Sequence, residues 1–141
     1  MKPLTYPVAR AAIRWYQGVL HMRDWRITVE IHDGCPGWRT IEPGSPVCGS
    51  IQILPRHQAA RIWVSNQRCA TTALHCDWAS AIPADPLAVL FHECEHVRAT
   101  RDRTALPGDT MTDAQEFSYT CVGTMLAQYY RLVQCHKATT K

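Results

Sequence analysis

The sequence predicts an α+β fold: an N-terminal helix, a small three-stranded sheet, a helix carrying His92 and His96, and a long C-terminal helix. Three observations point there. Apolar residues recur at helical intervals near the N-terminus and again in two stretches after residue 85. Between them, short segments alternate apolar and polar residues, the period of a half-buried strand. Asp85-Pro86 then supplies a helix start signal just before the second helical run. An order of helix, strands, helix, helix packs its helices on one face of a small sheet.

Each element has a local reason. Pro7 to His21 reads as the first helix, since Val8, Ala12, Trp15, Val19 and Met22 keep helical spacing, with Gly18 a weak point. Over Trp25 to His32, Ile27, Val29 and Ile31 alternate with Arg26, Thr28 and Glu30, which makes a strand. Asp33 to Gly49 is rich in Gly and Pro and reads as a long loop. Gly49 to Leu54 is a short strand closed by Pro55, and Ala60 to Ser65 a third strand. Asn66 to Ile82 is irregular. Asp85 is a good N-cap and Pro86 fits the first helical position. Leu87, Leu90, Phe91, Cys94 and Val97 then form the buried stripe of that helix. Arg101 to Thr110 is a loop, and a last helix runs from about Met111 to Gln134. With no repeat, low-complexity segment or linker, 141 residues suit one domain over 1–141.

Composition narrows the class. With 46% hydrophobic and 19% charged residues, the chain is neither disordered nor a membrane protein. No apolar run approaches the roughly 20 residues that span a bilayer, and the N-terminus lacks the apolar segment of a signal peptide. A cytoplasmic location without a membrane partner is expected. The net charge of +3 is too mild, and too dispersed, to call for a nucleic-acid partner. Seven cysteines, an odd count, favour free thiols in a reducing compartment. Cys94, Cys121 and Cys135 fall on helical stretches as small core residues. Cys35 with Cys48, and Cys69 with Cys76, flank loops; a disulfide suits either pair in an exported protein, while neither has the usual spacing of a structural zinc site.

The chemistry concentrates in His92-Glu93-Cys94-Glu95-His96. This is H-E-x-x-H, a zinc-binding signature of metallopeptidases. Side chains at i and i+4 share one helix face, so His92 and His96 can offer two imidazole nitrogens to one ion. Glu93 lies about 100° around the helix, close enough to take a proton from a zinc-activated water without binding the metal. Cys94, about 200° from His92, faces the core.

A catalytic zinc generally takes three protein ligands, and two downstream acids compete for the third place. Glu116 shares a helix face with Tyr119 and Gly123. Gly123 would allow a close approach to the zinc helix, and Tyr119 would bring a phenol near the metal. Asp113 with Glu116 also resembles a capping pair at a helix start. Asp102 is the rival, because His92 to Asp102 fits H-E-x-x-H-x-x-G-x-x-D with Ala99 in place of the glycine. A turn at that glycine uses positive φ, which costs alanine about 1 kcal/mol or more, so Glu116 is preferred.

On these residues the chain resembles a gluzincin, the zinc-peptidase class with H-E-x-x-H and a downstream helical glutamate. It is similar to small single-domain metallopeptidases predicted in phage and prophage genomes. The likeness rests on Trp25 with Ile27 to Ile31, Ala60 to Val64, His92 to His96, and Glu116-Phe117-Ser118-Tyr119. It implies a minimal zincin with zinc on His92, His96 and Glu116 and with Glu93 as general base. The expected function is hydrolysis of a peptide bond in a peptide or protein substrate, with Tyr119 assisting zinc at the oxyanion. The alternative is a non-catalytic, zinc-stabilised interaction or regulatory protein. The strand Ala60 to Ser65, which precedes the zinc helix, is expected to present an open edge to an extended substrate. His32, His57, His75 and Trp63 are candidates to line the cleft, with exposed loop positions the plainer expectation for each.

Overall fold

The computed structural model describes residues 3–33, 49–66, 85–104 and 113–140. These form α1 (Tyr6–Val19), β1 (Arg26–His32), β2 (Gly49–Leu54), β3 (Ala59–Ser65), α2 (Pro86–Arg101) and α3 (Asp113–Thr139), an α+β arrangement of three helices and one mixed sheet. Cys35, Cys48, Cys69, Cys76 and His75 lie outside the described residues, as do most of the expected loops at 33–49, 66–82 and 101–110.

Helix α1 buries Ala9, Ala12, Ile13 and Tyr16, spaced i, i+3, i+4, i+7. That face differs from the expected one. Val8 and Val19 stand 45% and 53% exposed near the helix ends. Tyr16 takes the inward position instead, because its hydroxyl has a buried partner there: it donates to Glu95 Oε1 at 2.7 Å. Hydrophobic periodicity ranks a valine above a tyrosine and cannot foresee that bond. The helix passes through Gly18 and stops at Val19, and His21 adopts a left-handed φ of 54°.

The sheet order is β1-β3-β2, with β1 parallel and β2 antiparallel to β3. The register sets Val29 and Ile51 on either side of Ile62, and Ile27 and Ile53 on either side of Ala60. These apolar residues pack into the core with α2. A 3-10 turn at Pro55–His57 and the left-handed Gln58, φ 46°, close the β2–β3 hairpin. Strand β3 is therefore central, and the expectation that it presents an open edge is wrong. Its composition agrees with its place: Ala59, Ala60, Ile62, Val64 and Ser65 are all buried. A strand that apolar belongs between two neighbours, where both edges are covered.

Helix α2 begins as expected, with Asp85 Oδ1 accepting from the Leu87 amide at 3.0 Å. Arg131 of α3 reaches the same carboxylate, Nη2 to Oδ1 at 2.8 Å. The helix is buried far beyond one stripe, since Ala88, Val89, Glu93, Glu95 and Ala99 join Leu87, Leu90, Phe91, Cys94 and Val97 inside. Phe91 sits in an aromatic cluster with Trp15 and Tyr130, ring centroids 5.7 and 6.0 Å away. Helix α3 continues past Gln134 to Thr139. Of its cysteines, Cys121 and Cys135 are exposed rather than core residues, whereas Cys94 is buried; all three are free thiols. Among the described residues no helix is long and apolar enough to cross a membrane.

Candidate metal centre

Two helices build the site. The i, i+4 pair on α2 turns both imidazoles toward α3, with His92 Nε2 and His96 Nε2 at 3.3 Å. Glu116, in the first turn of α3, meets them from across the interface: Oε2 lies 3.0 Å from His92 Nε2, and Oε1 3.6 Å from His96 Nε2. Each of the three offers one ligand atom, and those atoms lie within 4.8 Å of one another. Zinc binds such nitrogen and oxygen donors at about 2.0–2.2 Å, so tetrahedral neighbours stand about 3.3–3.6 Å apart. The His92–His96 and Glu116–His96 separations match that edge length and the Glu116–His92 separation is slightly shorter, so the residues present could hold such an ion.

Glu116 reaches the histidines because the helices approach closely. A Cβ at Gly123 would lie 2.6 Å from the Ala88 carbonyl oxygen and 2.8 Å from the His92 amide nitrogen, so only glycine allows this crossing. The shared face of Glu116, Tyr119 and Gly123 thus meets α2 as the spacing predicts. Tyr119 is buried, with its ring edge-on to His96 at 4.9 Å and to His92 at 6.1 Å between centroids. Burial pushes its phenol above the ordinary range, against the opposing charge of Arg98.

Thr120 is a site residue that sequence reasoning missed. It is 4% exposed, and its Oγ1 lies 3.1 Å from His92 Nδ1. A proton on Nδ1 would donate to that hydroxyl and leave Nε2 as the nitrogen available to a metal; without metal, a protonated imidazole also donates from Nε2 to Glu116. The signal was the i+4 spacing from Glu116, one turn along the same face. Thr120→Val should lower zinc affinity by about tenfold to a hundredfold, with Thr120→Ser close to wild type. A competitive chelator titration in which valine and serine behave alike would remove Thr120 from the site.

Glu93 lies beside the triad, not in it. It is 6% exposed, and its Oε2 stands 3.9 Å from His96 Nε2. Strand β2 presses on it: a Cβ at Gly49 would lie 2.8 Å from Glu93 Oε1 and 2.5 Å from Val89 Cγ1. The edge strand beside the site is therefore β2, and Gly49 makes room for the Glu93 carboxylate.

Asp102 is engaged elsewhere. Helix α2 runs through Ala99 to Arg101, and the positive φ of 58° falls at Arg103. Asp102 follows as the C-cap, 2.7 Å from Arg101 Nε and 3.2 Å from Arg98 Nη1. Those bonds, Arg101 first, hold its carboxyl below the ordinary range. Glu95 completes a second network, with its carboxylate accepting from Tyr16 and from Arg98 Nε at 2.9 Å. That network ties α1 to the back of α2.

Among the described residues, the other cleft candidates do not join the triad. His32 lies on β1, 3.4 Å from Glu30, and His57 is exposed in the 3-10 turn. Trp63 lies on β3 under the Arg61 guanidinium, 5.2 Å from its ring centroid. Among the described residues, His92, His96 and Glu116 are the one group of three that could hold a metal ion. Comparison with protein-family models, with curated proteins and with solved structures finds no match, so the chemistry of the chain is read from its own residues.

Proposed function

We propose that this chain is a zinc-dependent metallopeptidase, a minimal gluzincin-like enzyme that hydrolyses a peptide bond in a peptide or protein substrate. The observation that carries the proposal is the convergence of His92, His96 and Glu116, with the Glu93 carboxylate buried beside them and outside the ligand set. When bound, zinc supplies Lewis acidity, acidifying water toward neutrality and polarising a carbonyl. Glu93 then acts as general base: it takes a proton from the attacking water and returns it to the departing amine. Tyr119 keeps its phenolic proton, which suits it to donate toward an oxygen gaining negative charge. Strand β2, on the edge of the sheet beside Glu93, suits main-chain pairing with an extended substrate. A cytoplasmic enzyme with neither membrane nor nucleic-acid partner agrees with the composition.

A second reading has an observation of its own. Glu116 reaches from α3 to both histidines of α2, so a metal there would also tie the two helices together and could serve structure alone. Both readings require one zinc per chain, held through Glu116 and not Asp102. Elemental analysis of the purified protein after incubation with zinc should find that stoichiometry. Glu116→Ala should cost more than about tenfold in zinc affinity, the scale on which even losses behind the ligands are felt. Asp102→Ala should change little. A chain that takes up no zinc ends both readings, and the reverse ranking of the two variants transfers the third ligand to Asp102.

A further inference from the structure

We propose that the open edge of β1, beneath the flank of α1, is a docking site for an extended acidic peptide carrying carboxylates two residues apart. It lies at the opposite edge of the sheet from β2 and Glu93, and the proposal does not depend on the metal centre.

Among the described residues, strand β1 has a partner strand on one side only. The Arg26 amide donates to the Gln58 carbonyl at 2.8 Å, and the His32 carbonyl accepts from the Asn66 amide at 2.7 Å. In a parallel ladder alternate residues face the partner, so Thr28 and Glu30 turn with Arg26 and His32 toward β3. Ile27, Val29 and Ile31 turn their peptide groups outward. The Ile31 amide donates to the Tyr6 hydroxyl at 3.2 Å, which confirms the direction. Among the described residues the main-chain groups of Ile27 and Val29 have no hydrogen-bond partner.

Helix α1 runs antiparallel to this edge and is pinned at both ends, at Tyr6 by Ile31 and at Gln17, whose Nε2 donates to the Trp25 carbonyl at 2.6 Å. Between the pins lies a cleft of about 310 Å³ lined by Arg10, Ile13, Arg14, Ile27, Thr28 and Val29. The two arginines stand above the stretch whose peptide groups are unpaired. Arg10 lies over the Tyr6 ring, 5.5 Å from its centroid, and neither arginine has a carboxylate partner among the described residues.

The spacings match. Residues one turn apart on a helix have Cβ atoms about 5–6 Å apart, and same-face residues on a strand lie about 6.6 Å apart. A strand added to β1 would pair with Ile27 and Val29 and bring two successive same-face carboxylates under Arg10 and Arg14. Main-chain bonds supply affinity in this mode, and the side chains supply selection. Two guanidiniums select against basic peptides and against a second copy of a chain that is itself basic, at +3.

The test is fluorescence anisotropy on the full chain at low salt, with a labelled octapeptide of alternating valine and glutamate. That peptide should bind, and its valine–lysine counterpart should not. The double variant Arg10→Glu, Arg14→Glu should weaken binding by more than about tenfold. Both side chains are exposed, so its circular dichroism should match wild type; Arg10→Gln, Arg14→Gln is the substitute if it does not, and should weaken binding in the same direction. N-methylation of alternate peptide amides should abolish binding in one register and spare the other, since only one set faces β1. The proposal is overturned if the valine–glutamate peptide fails to bind at millimolar concentration, if the charge variants bind it as wild type does, or if both N-methyl registers bind equally.

Discussion

Glu93→Gln is expected to leave zinc and fold in place and to lower kcat for peptide hydrolysis by about two to four orders of magnitude, the range of general acid–base catalysis. Glutamine matches glutamate in shape, so the close fit against Gly49 survives. The His92, His96 and Glu116 ligand atoms are untouched. What disappears is a carboxylate able to accept a proton within 3.9 Å of His96 Nε2. Zinc content, melting temperature and turnover measured on one preparation separate the cases. Hydrolysis at the wild-type rate would show that Glu93 is not the base. Loss of zinc would make it a ligand. A partner-binding function that persists in this variant would favour the structural reading of the metal.

Much of this centre is legible in the sequence because it is local. The i, i+4 histidines, the Asp85 cap and Pro86 lie on one helix, and helix geometry alone puts both imidazoles on one side. Glu116 is a long-range partner, yet it is legible through Gly123, since a glycine on the face of a helix signals a close neighbour. The site residues that stayed hidden depend on long-range contacts. Thr120 shares the Glu116 face at i+4, but the sequence does not tell it from the other hydroxyls of α3; its role appears only when His92 Nδ1 is seen 3.1 Å away. Gly49 reads as the start of a strand and proves to be the gap that admits Glu93.

Strand order was the larger miss. Nothing in the alternation of Ala60 to Ser65 says whether it has one neighbour or two, because pairing is settled by which strands return to it. Strand β3 receives β2 through a tight hairpin and β1 through a parallel pairing that spans the intervening chain. The burial of both Ala59 and Ala60, successive residues that point to opposite faces, is the trace of its central place.

Metal removal should destabilise the protein at neutral pH and much less in mild acid. Zinc that binds only the folded chain adds about 4 kcal/mol at a thousandfold excess over its Kd. At about 3 °C per kcal/mol for a chain of this size, a chelator should lower Tm by about 12 °C near pH 7.5. The metal-free centre sets the pH dependence. Burial pulls His92 down, but the Glu116 hydrogen bond and the charges of Glu93, Glu116 and Glu95 outweigh it and raise it above its ordinary 6.5. Glu116 shifts the other way: burial raises it, but the His92 hydrogen bond and the charges of His96 and His92 carry it below its ordinary 4.5. The raised imidazole contributes stability that is full below about 6.5 and is lost as pH rises through its folded value; the lowered carboxyl contributes above about 4.5 and loses it as pH falls through its folded value. Without metal, the His92–Glu116 pair therefore helps most between about pH 4.5 and 6.5. Zinc needs the imidazoles deprotonated, so its affinity falls as pH drops through the raised His92 value. The zinc-induced gain in Tm should grow from pH 5.5 to pH 8, and His92→Ala with His96→Ala should remove it at every pH. Thermal melts with and without zinc across that range test the pair of claims. A gain that is flat with pH, or one that survives loss of both histidines, would put the metal elsewhere on the chain.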